Sequence, residues 1–226
     1  MATPLDPAAL AAEIAAQLAT YKRPTVPQMR SVRRAYTARL KAEPPRTVLA
    51  VALQLLEGES VAQRLLAYEL VHYHRAALAA LTAADLKRLG RKLDSWYMVD
   101  TFAPYLSGPA WRNGQVPDSL IAGWARSPDR WQRRAAVVST IGLNNRARGG
   151  HGDTRRTLAV CRLVIADRDD MVVKALSWAL RELAKHDPAA VQAFVAEHTA
   201  ELAPRVKREV ANKLRTGVKN PRRAKA

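Results

Sequence analysis

Apolar residues along the chain recur three and four positions apart, and the runs are broken at short intervals by proline, glycine and capping residues. Leu65, Leu66, Leu70 and Val71 form one such face, on a helix that Ser60 can cap. Asp6-Pro7 opens an earlier helix running to about Thr20, and after the break Lys22-Arg23-Pro24 a basic helix extends from Pro27 to about Lys41. Pro44-Pro45 starts another, to about Leu56. Thr82 and Asp85 have the spacing of a capping box whose helix ends near Leu93, and Asp94 or Ser95 caps the next, which Gly108-Pro109 closes. Pro117-Asp118 and Ser127-Pro128 open two more. Asp153, Asp169 or Asp170, Asp187-Pro188 and Pro204 start the last four. No alternating pattern exceeds about four residues, so no strand is predicted. The pattern describes about a dozen short helices in antiparallel pairs, which bury their apolar faces only by stacking on one another. The expected fold class is therefore all-α, a curved α-solenoid, in one domain over residues 1–216 with a disordered basic tail at 217–226.

Three segments interrupt the apolar regularity with a tryptophan: Trp96-Tyr97-Met98-Val99-Asp100, Trp131-Gln132-Arg133-Arg134 and Trp178-Ala179-Leu180-Arg181. In each, a charged residue follows the indole by three or four positions, so both share a helix face. Roughly 35 residues separate the first tryptophan from the second and about 47 the second from the third, as expected of stacked helix pairs if the Gly/Arg/Asn-rich segment Asn144 to Arg156 is an insertion.

Composition narrows the partners. The chain of 226 residues carries a net charge of +17. A GC-rich coding bias accounts for abundant arginine and alanine but not for the excess over acids, which points to nucleic acid or another polyanion. Between Arg112 and Arg162 there are ten arginines, no lysine and only Asp118, Asp129 and Asp153 in opposition. The lone cysteine, Cys161, lies in an apolar run and reads as a buried thiol. The acidic N-terminal stretch (Asp6, Glu13) is not a secretion signal, and no apolar run is long enough to span a membrane. A monomer in the cytoplasm, associated with the nucleoid, is expected.

Candidate chemistry is sparse. His72 and His74 fall on different helix faces and His151 lies in the Gly-rich segment, so no metal site is expected. Gly149-Gly150-His151-Gly152 lacks the lysine and preceding strand of a phosphate loop. No serine nucleophile is identifiable by spacing. Asp100 stands out: one turn from Trp96, in a helix otherwise lined by Met98, Val99 and Phe102. Two readings of it stay open, a structural hydrogen bond or a lone carboxylate that stabilises a cationic sugar intermediate or holds a water. Trp178, between Lys174 and Arg181 on one face, reads as a phosphate-facing stripe. Trp131 reads as core with Arg134 turned outward. Trp111 and Trp124 read as packing residues.

Asp94-Ser95-Trp96-Tyr97-Met98-Val99-Asp100, Trp131-Gln132-Arg133-Arg134-Ala135-Ala136 and Lys174-Ala175-Leu176-Ser177-Trp178-Ala179-Leu180-Arg181-Glu182 resemble, in order, the signature segments of the AlkD-type alkylpurine DNA glycosylases. Pro27-Gln28-Met29-Arg30 resembles that family's P-x-x-R segment. The similarity spans roughly residues 20 to 185. It implies HEAT-like antiparallel helix pairs whose concave face holds duplex DNA. It also implies hydrolysis of the N-glycosidic bond of cationic N3- and N7-alkylated purines without flipping the base, and no cofactor. By position, Asp100 matches the catalytic aspartate, Trp96 and Trp178 the indoles beside the deoxyribose, and Arg134 and Arg181 arginines on the DNA backbone, with Lys174 and Arg30 as further DNA contacts. The chain departs from the family at Tyr21-Lys22-Arg23-Pro24-Thr25-Val26, which is shorter and lacks its phenylalanine and glycine, leaving Tyr21 as the candidate DNA-facing aromatic. Two rival functions keep the same fold: a non-catalytic binder of damaged or branched DNA, and a scaffold for protein partners.

Overall fold

A computed structural model describes residues 5–221, so residues 222–226 of the expected tail lie outside the described residues. Every regular element among the described residues is helical, as the periodicity predicts. The chain divides into two compact units, Met1–Leu93 and Asp94–Ala226.

The first unit contains α1 (Pro7–Ala19), α2 (Val26–Leu40), α3 (Pro45–Glu57), α4 (Val61–Tyr73), α5 (Arg75–Ala79) and α6 (Ala83–Leu89). The starts follow the capping residues. The Asp6 carboxylate accepts from the Ala8 amide at 2.9 Å, and Thr82 with Asp85 closes a complete capping box. Helix α6 stops at Gly90, short of the expected Leu93. An element not foreseen is α5: His74 leaves helical geometry (φ −100°, ψ 96°) and its Nδ1 accepts from the Ala77 amide at 3.0 Å, so one expected helix becomes two. Ile14, Leu40, Val48, Leu66 and Leu86, one each from α1, α2, α3, α4 and α6, are fully buried where these helices pack, each contributing about 1.5–3 kcal/mol.

The second unit contains α7 (Trp96–Phe102), α8 (Gly108–Arg112), α9 (Asp118–Ala125), α10 (Arg130–Ser139), α11 (Ile141–Asn144), α12 (Thr154–Leu163), α13 (Asp170–Leu183), α14 (Pro188–Glu197) and α15 (Pro204–Thr216). Helices α7, α10, α13 and α15 pack each on the next, and α9, α12 and α14 back them as partners of α10, α13 and α15. This is the two-layer stacking expected of a solenoid.

Gly108-Pro109 does not close α7 as expected. A π turn over Ala103–Ser107 carries the helix on into α8, with the Gly108 amide bonded five residues back to Ala103 O. The wide turn absorbs the two prolines, 104 and 109, which lack amide donors. It also brings Gly108 against Gly142, where an added Cβ would stand 2.6 Å from Ser139 O and 2.9 Å from Gly142 Cα.

The segment between α11 and α12 is ordered by buried polar groups. Asn144 Nδ2 donates to Thr140 O at 2.9 Å and Thr157 Oγ1 at 2.8 Å, while its Oδ1 accepts from the Asp153 amide at 3.0 Å. Arg112 Nη1 donates to Gly142 O at 2.7 Å and Arg148 O at 2.8 Å. Beyond α15 the chain folds back, with Lys219 Nζ 3.3 Å from Glu209.

Candidate active site

Asp100 and Trp96 lie one turn apart on α7, as their spacing predicts. The rest of that helix shows why this face is outward: Met98, Val99 and Phe102 are fully buried, while the Trp96 indole is 54 % exposed. The Asp100 side chain retains 23 % of its surface.

The neighbour of Asp100 is Arg134, which was expected to point outward. Instead it is buried (5 % exposed) and turned onto the carboxylate. Arg134 Nε and Nη2 donate to Asp100 Oδ1 at 3.0 and 2.8 Å, and Nη2 also donates to Oδ2 at 2.8 Å. Arg134 Nη1 donates to the Met171 carbonyl in the first turn of α13. The reason is helical phase: Arg134 shares its face with Val137, Val138 and Ile141, all fully buried, so it belongs to the inward stripe of α10. An arginine there must be paired, and Asp100 supplies the pair.

This fork ties three helices together, α7 through Asp100, α10 through Arg134 and α13 through Met171. It also divides the carboxylate's labour. Oδ1 accepts two bonds from Arg134 and Oδ2 one, so Oδ2 keeps a lone pair that Arg134 does not use. Burial pushes the Asp100 carboxyl above the ordinary aspartate range, against the opposing charge and hydrogen bonds of Arg134.

Helix α13 presents Met171, Lys174, Trp178 and Arg181 along one half-exposed stripe, while Val172, Val173, Ala175, Leu176, Ala179 and Leu180 are buried. The indole of Trp178 is half-buried, on the helix whose first turn holds Arg134. Lys174 reaches solvent and pairs with Asp170 at 2.6 Å, holding that carboxyl below its usual range.

Arg181 corrects a second expectation. It does not stand free beside Trp178: its side chain is 17 % exposed, Nε donates to Ser177 Oγ at 3.2 Å and lies 3.9 Å from Glu209 Oε2. Glu209, buried on α15, also accepts from Ser177 Oγ at 2.6 Å. The periodicity of α13 could not show this acid, because it arrives from another helix.

The remaining candidates fall into place individually. Trp131 is half-buried with Arg130 over its ring at 4.9 Å. Trp111 is core, as expected, and its Nε1 donates to Asp118 at 2.7 Å. Trp124 packs on Phe102 with ring centroids 5.9 Å apart. Tyr21 and Arg30 belong to the first unit, Tyr21 half-buried in the turn after α1 and Arg30 exposed on α2. Burial pushes the Cys161 thiol up to about 12, which makes it a poor nucleophile at neutral pH. Among the described residues no cluster of three His, Cys, Asp or Glu side chains could hold a metal, and no helix is long and apolar enough to cross a membrane.

Trp178 lies on α13, which packs on α10; the group on α7 is an ionisable carboxylate held at a surface with an exposed indole one turn away. It can stabilise a developing positive charge and orient a water, and it offers no general acid beside Asp100. Residues 23–214 match the model of a family described as DNA alkylation repair enzyme. No curated protein matches the chain.

Proposed function

The chain belongs to the DNA alkylation repair enzyme family, whose model spans most of it, and on that premise we propose a monofunctional DNA glycosylase that removes cationic N3- and N7-alkylated purines from duplex DNA without flipping them. The observation that carries this reading is the half-open Asp100 carboxylate beside the exposed Trp96, fixed by a buried arginine.

The chemistry follows from the substrate's charge. An alkylated purine is already cationic, so the bond from C1′ to N9 breaks with its electron pair passing to the base, and no acid is needed to protonate the leaving group. Positive charge then develops on the sugar. Asp100 stabilises it, and the faces of Trp96 and Trp178 add their quadrupoles. A water accepted by Oδ2 attacks C1′ and gives its proton to Asp100, leaving the free base and an abasic site. Arg134 acts as a positioning residue: its fork fixes the carboxylate and opposes the burial that favours the protonated form.

Incubation with duplexes containing N7-methylguanine or N3-methyladenine, followed by detection of free base and abasic sites, tests the proposal. Release from both wild type and Asp100→Asn, or from neither, removes it. The ion pair between Asp100 and Arg134 also favours a second reading, in which Asp100 is purely structural and the protein binds damaged DNA without cleaving it. That reading expects tight, salt-sensitive binding and no liberated purine.

A further inference from the structure

The C-terminal half of α2 and the junction of α4 with α5 border an open cavity of about 640 Å³ in the first unit, within the size range of small-ligand sites. Arg33, Arg34, Lys41 and Arg75 line it, and no carboxylate does. Glu69 approaches Arg33 Nε at 3.8 Å, too far for a hydrogen bond. Arg34, Lys41 and Arg75 have no ion-pair partner among the described residues. Arg34, Lys41 and Arg75, brought together with no acid of their own, repel one another, and a bound anion relieves that repulsion.

The uncharged groups of the wall add to the case. Arg33 Nε and Thr37 Oγ1 are buried without any hydrogen-bond partner. Threonines elsewhere on helices return their hydroxyls to the carbonyl four residues back, as Thr101 does to Tyr97 and Thr216 to Asn212. Thr37 makes no such bond, which leaves its donor in the wall for an incoming acceptor. His74 also lines the cavity. Its Nδ1 accepts from the Ala77 amide, so the neutral ring carries its proton on Nε2 as a further donor. Tyr73 is 45 % exposed at the same cavity, with the Arg33 guanidinium 3.8 Å from its ring centroid. A cationic wall selects a phosphate, and an exposed aromatic ring beside it selects a planar group.

We infer that this cavity binds a nucleotide unit, with Arg34, Lys41 and Arg75 on the phosphate oxygens and the base stacked on Tyr73. The same chemistry is presented by a residue of a DNA strand and by a free nucleotide. None of these side chains belongs to the Asp100 group, so the inference stands or falls independently of base removal.

Calorimetric titration of the full chain with deoxyadenosine monophosphate, inorganic phosphate and deoxyadenosine tests it. The monophosphate binds, and each fragment binds at least about tenfold more weakly. The double variant Arg34→Gln/Lys41→Gln loses about tenfold or more in monophosphate affinity. Tyr73→Ala loses affinity for the monophosphate but not for phosphate. Competition then separates the sources: an undamaged oligonucleotide that displaces the monophosphate identifies the strand as the ligand, and failure to displace it identifies the free nucleotide. No binding by protein that circular dichroism shows to be folded, or equal affinity in the double variant, overturns the inference.

Discussion

Asp100 has two jobs in this molecule, as counter-charge to Arg134 and as the proposed catalytic carboxylate, and substitution can separate them. Asp100→Asn keeps the shape but leaves the Arg134 guanidinium, 5 % exposed, facing a neutral amide. Removing one partner of a buried pair costs about 3–5 kcal/mol, and the 23 % exposure of Asp100 places this case near the lower end, about 3 kcal/mol. For a chain of this length each kcal/mol moves Tm by about 2–4 °C, so the single variant should melt about 6–12 °C lower. Adding Arg134→Met replaces the orphaned charge with a neutral side chain and should bring stability back to within about 1 kcal/mol of wild type. Base release should not return with it. A lost carboxylate of this kind slows the chemical step by about 10²–10³-fold. Thermal melts by circular dichroism and single-turnover release from N7-methylguanine duplex, measured below the lowest Tm, give both quantities. A double variant that regains stability and also releases base at the wild-type rate would refute the catalytic role and leave Asp100 a structural partner.

Other consequences are equally measurable. Lys174→Ala should flatten the salt dependence of duplex binding by about 0.9 in the log–log slope, whereas Arg134→Met, buried and already paired, should leave the slope unchanged; fluorescence anisotropy over a salt series decides between them. Base release should rise with pH through a midpoint above that of an ordinary aspartate, since burial raises the Asp100 carboxyl, and Arg134→Gln, by removing the opposing charge, should move that midpoint higher still in a pH–rate profile. Gly108→Ala should destabilise by about 1–3 kcal/mol or more in urea unfolding, because its methyl would meet the Ser139 carbonyl and Gly142 backbone, which have little room to move.

Much of this molecule was legible along the chain because the governing interactions are local. Asp153, Asp169 and Asp187 cap their helices through amides two or three residues away, and the sequence alone places those starts, whereas α10 starts at the Asp129 cap, two residues past the expected Ser127. Apolar spacing likewise places Asp100 and Trp96 on one face of α7, and Trp178 on the half-exposed stripe of α13. Where local rules mislead, a competing local geometry is responsible: the π turn carries the helix past Gly108-Pro109, and the ring nitrogen of His74 starts a helix.

The partners of Arg134 and Arg181 were decided by tertiary structure alone. Arg134 meets Asp100 from 34 residues away, and Arg181 meets Glu209 from a different helix. Helix phase states that such a side chain turns inward, but not which opposite charge awaits it, because that depends on how α7, α10, α13 and α15 stack. Arg134 leaves water because a carboxylate comes to meet it, and that meeting takes two helices, while a cap takes one.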